Sequence, residues 1–224
     1  MLHLYLVRHG LTLWNSEGRI QGHTDVPLSE EGRAQALRLA SRLAAVPLCA
    51  VWSSDLSRAR ETAEIIAARR SLPVTTTPLL RESCLGAWEG LTEAEIVARG
   101  DGRLLEAFRR DSTLHRPPGG EPMRQVWERI LDAQARLRAA HAEGAVVVVG
   151  HGGSLKALLC DAMGAGIAAM RRLWLDNASL SLIEHRAGRT WVRLVNDTCH
   201  LDAGAAGTGG AADDLAVVDP NSAV

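Results

Sequence analysis

The sequence predicts an α/β fold, a sandwich of three layers in which helices flank a mostly parallel central sheet. Short apolar stretches with the pattern of strands alternate along the chain with longer segments of helical periodicity. One stretch, residues 145–149, reads AVVVV, which is typical of a central strand covered on both faces. Two predicted strands run directly into histidines, at the strand ends where open α/β sheets bind ligands.

The elements of the first half follow from local patterns. Leucines alternate with other residues over 1–7, which predicts a strand, and the polar run 8–27 predicts a long loop. Ser29 marks a helix N-terminus, because its hydroxyl can cap the first turn and acidic residues follow it. Further elements in this half are a strand, an amphipathic helix and a strand, at 50–52, 59–67 and 74–77.

The second half continues the alternation of strands and helices. A capping box formed by Thr92 and Glu95 opens a short helix. After the AVVVV strand we expect Ser154 to cap a helix that runs through Met163. Two more elements are a helix over 123–137 and a terminal hairpin of 180–184 with 191–195.

Size and composition restrict the class of protein. The chain has 224 residues, of which 46% are hydrophobic, and a formal net charge of −1, so it can bury a sizeable core without disulfides. Lys156 is the only lysine among 25 cationic residues, and aromatic residues are 4% of the chain, which is a poor composition for a nucleic-acid groove. No stretch is apolar enough for a membrane span, and the first residues lack the pattern of a secretory signal. We therefore expect a cytoplasmic protein that binds neither nucleic acid nor membranes.

Composition also divides the chain into a domain and a tail. Residues 1–202 carry the alternating strands and helices, and we expect them to form one domain. In contrast, nine of the ten residues 203–212 are glycine or alanine, which is a linker composition. We therefore expect 203–224 to be a mobile C-terminal tail.

The four cysteines show neither disulfide nor zinc-binding spacing. We expect Cys49 and Cys160 to be ordinary buried hydrophobic residues, and Cys84 and Cys199 receive no role.

Residues at three predicted strand ends carry the chemistry. Arg8 and His9 follow the first strand, Arg58 opens the helix after the second, and His151 follows the AVVVV strand. The carboxyl ends of parallel strands meet at one edge of a sheet, so these side chains can converge there. Because guanidinium groups match the non-bridging oxygens of phosphate or sulfate, the sequence predicts a phosphate pocket at this edge.

The order of the motifs resembles the histidine phosphatase superfamily, which includes the phosphoglycerate mutases. The resemblance covers residues 1–201 and implies a phosphoglycerate mutase-like fold. It rests on RHGLTLWN (8–15), GRIQGHTDVPLSEEGRAQA (18–36), SSDLSRARETA (53–63), RESCLGAWEGLT (81–92), PPGGE (117–121), VVVGHGG (147–153) and DNASLSLIEH (176–185).

The resemblance implies a role for each residue of the pocket. His9 would be the nucleophile that takes the phosphoryl group, and Glu82 would protonate the leaving oxygen. Arg8, Arg58 and His151 would surround the phosphoryl group, whose charge the arginines would offset, so no metal and no other cofactor is expected. Substrate contacts would come from four further residues, Asn15, Gln21, Gly22 and Gly152.

These roles predict a phosphomonoester hydrolase that acts on a small phosphorylated metabolite. Candidate substrates are α-ribazole 5′-phosphate, phosphoserine, and sugar or glycerate phosphates. Residues 196–201 resemble the C-terminal segment of α-ribazole phosphatases and metal-independent phosphoserine phosphatases. In the phosphoserine enzymes a histidine reads the serine carboxylate, whereas this chain has Leu85 at that place. The sequence leaves the substrate open, and it leaves open whether the chain forms a homodimer.

Two alternative functions remain at this stage. One is a bisphosphoglycerate-dependent phosphoglycerate mutase, and the other is a catalytically silent domain that binds phosphorylated ligands. The mutases carry a longer, substrate-enclosing insertion between the motifs that hold Glu82 and His151, so the shorter segment here favours water as the acceptor. The complete set of pocket residues argues against a silent domain.

Overall fold

The computed structural model describes residues 1–202, and the predicted tail lies outside the described residues. Six strands form one sheet: β1 (Leu2–Arg8), β2 (Leu48–Ser54), β3 (Val74–Thr77), β4 (Gly144–Gly150), β5 (Leu180–Arg186) and β6 (Arg189–Asp197). Their order is β3-β2-β4-β1-β5-β6. The first four strands of this order pair in parallel, and β5 and β6 continue the sheet as an antiparallel hairpin. The predicted mostly parallel sheet and terminal hairpin are confirmed.

Seven α-helices lie within the described residues 1–202, and none of them is long and apolar enough to cross a membrane. They are α1 (Leu13–Ser16), α2 (Glu30–Arg42), α3 (Ser57–Ala68), α4 (Glu93–Ile96), α5 (Gly102–Arg110), α6 (Met123–Ala140) and α7 (Gly152–Ala162). Short segments of other helix types lie at Pro78–Leu80, Gly86–Trp88, Val97–Asp101, Ile167–Arg172 and Cys199–Leu201.

The helices cover both faces of the sheet. α2 and α3 pack on one face, and α6 and α7 pack on the other. β4 lies between β2 and β1, and from Ala145 to Gly150 every one of its residues is buried. Since the AVVVV run is covered on both sides, it needs no polar face. The predicted three-layer sandwich is confirmed.

Local capping explains where two helices begin. The Ser29 hydroxyl accepts a hydrogen bond from the Gly32 N–H at 3.1 Å, so Ser29 caps α2 as predicted. α1 lies inside the predicted long loop, and its signal is a capping box in which Thr12 and Asn15 each bind the other's backbone N–H. This short helix fixes the path of the chain just after the first strand.

Two local predictions are wrong. Cys49 is exposed, although Cys160 is buried as predicted. The pairing of β2 with β4 shifts register between Leu48 and Ala50, so Cys49 occupies a bulge and does not point into the core.

The helix cap predicted for α7 is the second error. His151 occupies the N-cap position, and Ser154 lies in the first turn. The Ser154 hydroxyl accepts a hydrogen bond from the His151 N–H at 2.9 Å. The helix therefore begins directly after the residue that we expected to line the pocket.

A small separate core forms in the segment between the motifs that hold Glu82 and His151. Trp88, Ile96 and Leu105 are buried against one another there. The Trp88 indole N–H donates to Asp101 Oδ2 at 2.9 Å. This cluster anchors the chain next to Glu89, which contributes to the site described below.

Candidate active site

The carboxyl ends of β1 and β4 lie side by side and bring the two predicted histidines together. Arg8 is paired with Gly150 in the parallel ladder, and the His9 N–H donates to the Gly150 carbonyl at 3.0 Å. The rings of His9 and His151 are both buried, and their centroids lie 5.1 Å apart. The predicted convergence of the two strand ends is confirmed.

One hydrogen bond fixes the tautomer of the His9 ring. Its Nδ1 lies 2.8 Å from the Gly10 carbonyl oxygen, and because a carbonyl only accepts, Nδ1 carries the proton. Burial, together with the positive charges of Arg58 and Arg8, holds the pKa of His9 well below its ordinary value. The ring is therefore neutral, and its Nε2 atom has a free lone pair.

His151 is also neutral. Burial, followed by the charge of Arg58, holds its pKa well below the ordinary value. Both ring nitrogens are buried, and neither has a hydrogen-bond partner within residues 1–202. A neutral ring has one N–H to offer, so His151 can donate a hydrogen bond to a ligand without adding charge.

Arg58 is only 1% exposed and is oriented by the backbone of the first loop. Its Nη1 donates to the Thr24 carbonyl at 2.9 Å, and its Nη2 donates to the Gly22 carbonyl at 2.8 Å. Burial lowers the pKa of Arg58 to about 10, so its guanidinium stays charged near neutral pH. Its Nε finds no partner in the described part of the chain.

Arg8 is oriented in a similar way from the other side of the site. Its Nη1 donates to the Leu175 carbonyl, and burial lowers its pKa. The Nε of Arg8, like that of Arg58, is buried with no partner among the described residues. Buried polar groups in proteins almost always have partners. We therefore infer an anion-binding site here, because Arg8, Arg58 and His151 all have buried nitrogens without a partner among the described residues.

Glu82 is held at the start of α7 by backbone N–H groups. The Gly153 N–H lies 3.1 Å and 3.0 Å from the two carboxylate oxygens, and the Ser83 N–H lies 2.8 Å from one of them. A Cβ atom on Gly153 would lie 2.2 Å from the carboxylate, so only glycine fits there. A Cβ on Gly152 would lie 3.7 Å from Glu82 Oε2 and 3.9 Å from Arg8 Nε. Gly152 therefore lies next to both the carboxylate and the guanidinium.

The backbone of Glu82 is also held in place. Arg129 donates to the Glu82 carbonyl at 2.7 Å and is itself paired with the Glu121 carboxylate at 2.8 Å. The His23 ring nitrogen donates to the same Glu82 carbonyl at 2.8 Å. The backbone that carries the Glu82 carboxylate is therefore fixed by two side chains, Arg129 and His23.

Asn15 is held beside His9 through a residue that the sequence analysis did not single out. Asn177 donates to the His9 carbonyl at 3.2 Å and to Asn15 Oδ1 at 3.2 Å. The Thr12 hydroxyl also donates to Asn15 Oδ1, at 3.0 Å. Because its oxygen is engaged in this way, the Nδ2 group is the end of Asn15 that can contact a ligand.

Glu89, also unassigned in the sequence analysis, holds the loop that orients Arg58. Its carboxylate accepts hydrogen bonds from four donors: the His23 N–H, the Thr24 N–H, the Thr24 hydroxyl and the Leu85 N–H. Burial opposes ionisation, but these bonds keep the pKa of Glu89 below its ordinary value. The fixed loop presents the two carbonyls that bind Arg58.

The predicted contacts Gln21 and Gly22 lie in the same loop. Gly22 has φ +54°, and a Cβ there would lie 2.1 Å from the Glu89 carboxylate, so both the conformation and the space require glycine. Gln21 is buried, and its Oε1 has no partner within residues 1–202. The structure thus gives Gly22 a part in positioning Arg58, through its carbonyl.

Sequence reasoning missed Glu89, Asn177, Arg129 and Gly153. Glu89 and Asn177 fall inside the stretches that carry the family resemblance, so a signal for them was present. Arg129 lies on α6 outside those stretches. Within the described residues, no group of three or more His, Cys, Asp or Glu side chains could hold a metal ion.

The fold and the site define a class of protein: a three-layer α/β sandwich whose parallel strand ends form a pocket for a phosphoryl group. The particular family follows from comparison with known proteins. The chain belongs to the histidine phosphatase superfamily (branch 1), whose family model matches residues 4–198. The resemblance inferred from the sequence motifs is confirmed.

Similar proteins include both mutase and phosphatase names. A probable phosphoglycerate mutase, GpmB, from Salmonella choleraesuis (strain SC-B67) is 37% identical, and the match covers 91% of this chain and 96% of that protein. A solved mycobacterial glucosyl-3-phosphoglycerate phosphatase, in complex with VO3, is 36% identical with a TM-score of 0.80, and the match covers 88% of this chain and 99% of that one. The solved α-ribazole phosphatase from Shigella flexneri is 29% identical with a TM-score of 0.81, over 87% of this chain and 96% of that one.

Proposed function

We propose that this chain is a phosphomonoester hydrolase that acts on a small phosphorylated metabolite through a phosphohistidine at His9. One observation carries the proposal. The His9 ring is neutral, its Nδ1–H is bound to the Gly10 carbonyl, and its Nε2 lone pair is free. A lone pair fixed in this way beside Arg8 and Arg58 can attack a phosphorus atom that both guanidinium groups bind.

The first step forms a bond between His9 and phosphorus. The Nε2 lone pair attacks in line with the ester oxygen, and the P–O ester bond breaks as the N–P bond forms. Glu82, in its acid form, gives its proton to the departing oxygen, so the alcohol leaves neutral. Arg8, Arg58 and the N–H of His151 bind the non-bridging oxygens and stabilise the charge on them.

The second step releases phosphate. Glu82, now a carboxylate, removes a proton from a water molecule, and the water oxygen attacks the phosphorus as the N–P bond breaks. The products are inorganic phosphate, neutral His9 and protonated Glu82. One carboxyl group therefore serves both steps, as microscopic reversibility suggests for a single acid–base residue.

The remaining candidate contacts support the same proposal. Gln21 and Gly22 belong to the loop that binds Arg58. The oxygen of Asn15 is engaged beside His9, which leaves its Nδ2 group for a ligand, and Gly152 lies next to both Glu82 and Arg8. We assign Asn15 and Gln21 to substrate binding. The substrate classes α-ribazole phosphate, phosphoserine, sugar phosphates and glycerate phosphates remain candidates.

The second candidate function is phosphoglycerate mutase, which the 37% identity to GpmB favours. A mutase returns the phosphoryl group to a bound product, whereas a hydrolase gives it to water. Rates of 2- and 3-phosphoglycerate interconversion, with and without 2,3-bisphosphoglycerate, should be compared with rates of phosphate release. Interconversion faster than phosphate release from every tested ester would establish the mutase in place of the hydrolase. A chain that binds phosphate but transfers none would be a silent binding domain.

We expect the hydrolase to need no metal ion, because Arg8 and Arg58 supply the positive charge at the phosphoryl group. The test is a screen of phosphorylated metabolites in which phosphate release is measured with and without EDTA. Turnover should be unchanged within about twofold by the chelator. Loss of activity in EDTA that Mg²⁺ restores would contradict the metal-independent mechanism.

Replacing Glu89 with glutamine should weaken phosphate binding without unfolding the protein. In glutamine, one acceptor oxygen is replaced by an NH₂ donor that faces N–H and O–H groups. The loop therefore loses bonds that fix His23 and Thr24, the residues next to the Gly22 carbonyl. We expect the inhibition constant of inorganic phosphate to rise about 10- to 100-fold, the equivalent of one or two lost hydrogen bonds.

The matched control is Glu128→Gln, on the exposed face of α6, where the carboxylate pairs only with Arg124 among the described residues. It should bind phosphate as the unchanged protein does. Circular dichroism at the assay temperature must show both variants folded. Unchanged phosphate affinity in folded Glu89→Gln would show that the loop does not depend on Glu89.

Other expectations from the sequence stay predictions. They are the cytoplasmic location, the absence of nucleic-acid and membrane partners, the division into a domain and a tail, and the oligomeric state.

A further inference from the structure

We propose that Lys156 and Trp174 form a second binding position beside the phosphate pocket, and that this position takes a carboxylate on the leaving group of the substrate. The inference rests on the proposed function and narrows its substrate class to phosphate esters of hydroxy acids. Three observations carry it: the place of Lys156 on α7, the Trp174 ring against it, and the binding of the Glu82 carboxylate to the first turn of the same helix.

Lys156 lies on the face of α7 that adjoins the pocket. It follows Gly152 by four residues and Gly153 by three, and residues at these spacings share one face of a helix. Gly152 lies next to Glu82 and Arg8, and the Gly153 N–H binds the Glu82 carboxylate. Because helical side chains lean toward the N-terminus of their helix, the Lys156 chain extends toward these groups.

The Trp174 ring packs next to the Lys156 ammonium group. The Lys156 Nζ atom lies 5.8 Å from the centroid of the Trp174 ring, which is 72% exposed. The indole N–H donates to Asp176 Oδ1 at 2.8 Å, and between these two residues the Leu175 carbonyl binds Arg8. The same short segment therefore holds a pocket guanidinium and the ring beside the lysine.

Within residues 1–202, Lys156 makes no ion pair with a carboxylate, and its contact is the Trp174 ring. Burial lowers the pKa of Lys156, while the charge of Glu82 raises it and that of Arg8 lowers it. A half-buried cation gains more from an anionic partner than an exposed one does, because water competes less for it.

The side of the pocket decides which part of the substrate this cation meets. Arg8 and Arg58 already surround the phosphoryl group, and Glu82 faces the leaving oxygen in the proposed mechanism. Gly153, which binds the Glu82 carboxylate, lies three residues before Lys156 on the same helix. We therefore assign the Lys156 ammonium to the leaving group, next to the oxygen that Glu82 protonates. A single ammonium matches one negative charge, which is the charge of a carboxylate near neutral pH.

Paired substrates test the proposal through kinetics. 3-Phosphoglycerate and glycerol 3-phosphate differ in one group, since a carboxylate in the first is a hydroxymethyl group in the second. Lys156→Met keeps the apolar stem and removes the charge, so it should lower the ratio of kcat/KM for 3-phosphoglycerate to that for glycerol 3-phosphate at least about tenfold. Lys156→Arg should recover most of the ratio. An unchanged ratio in Lys156→Met would overturn the proposal.

A labelling experiment tests the same contact without turnover. Lys156 is the only lysine of the chain, so an amine-reactive reagent has two targets, Lys156 and the N-terminal amine, and the second is an internal control. In His9→Ala, excess 3-phosphoglycerate should slow labelling of Lys156 at least about tenfold, whereas glycerol 3-phosphate should not. Equal protection by both esters, or by neither, would contradict a carboxylate site.

The two proposals fail in different ways. If no ester is hydrolysed, the proposed function is wrong, but labelling of the unchanged protein still reports whether a carboxylate reaches Lys156. If esters are hydrolysed with equal preference before and after Lys156→Met, the hydrolase stands and the second binding position does not.

Discussion

Replacing His9 with alanine should lower kcat at least about 1,000-fold, because the variant has no atom that can take the phosphoryl group. In the unchanged protein, rapid acid-free quenching of a reaction with ³²P-labelled ester should trap a phosphoprotein that is labile in acid and stable in base. The label should be absent from His9→Ala. Both readouts follow from the free Nε2 lone pair beside the two arginines.

The matched control is His115→Ala, in which an exposed histidine is removed. It should keep its turnover and its phosphoprotein. Full turnover by His9→Ala would refute the covalent mechanism, and a labelled phosphoprotein in His9→Ala would place the phosphoryl group on another residue.

Replacing Glu82 with glutamine should slow phosphate esters to different extents, depending on how good their leaving groups are. Glutamine keeps the size of the side chain but has no proton to give, so alkyl phosphates, whose alkoxides are poor leaving groups, should slow about 100- to 10,000-fold. p-Nitrophenyl phosphate needs little protonation and should slow less than about tenfold in the formation of the phosphohistidine, followed as a burst of nitrophenol. Hydrolysis of the phosphohistidine should slow for both esters, because Glu82 is also the proposed base for water.

Exposed Glu106 supplies the control, since Glu106→Gln changes the same chemical group on the surface of α5. That variant should react with the two esters at the same rates as the unchanged protein. If Glu82→Gln slows the bursts of both esters equally, the carboxylate positions the substrate and does not protonate the leaving oxygen.

Much of the fold could be predicted from the sequence, because its strands and helices carry strong local patterns. The AVVVV run predicted the central strand, and the Ser29 cap placed the start of α2 within one residue. Cys49 could not be placed correctly, since a bulge depends on how β2 pairs with a strand far away in the chain. Ser154 was misjudged because the cap of α7 is a histidine, which single-residue preferences do not favour.

Some residues of the candidate site could also be predicted from the sequence, and others could not. His9, His151 and Arg58 stand next to strand ends, so topology alone brings them together. Glu82 came from the family resemblance and not from spacing. Glu89 and Asn177 position pocket residues through hydrogen bonds to loops that are distant in the sequence. No local sequence pattern predicts a hydrogen bond of this kind.

The acceptors of the pocket arginines have an electrostatic consequence. Arg81 and Arg129, close to the site, are paired with the carboxylates of Asp55 and Glu121, which cancel their charges. Arg8 and Arg58 are instead oriented by neutral carbonyl groups.

Carbonyl groups fix the direction of a guanidinium without forming an ion pair with it, so within residues 1–202 neither pocket arginine is paired directly with a carboxylate. A phosphate monoester carries close to two negative charges near neutral pH. The chain as a whole has a net charge of −1, so its arginines do not make it attractive to anions in general. A dianion is attracted to this edge of the sheet because the pocket arginines are hydrogen-bonded to carbonyl groups, whereas Arg81 and Arg129 are paired with carboxylates.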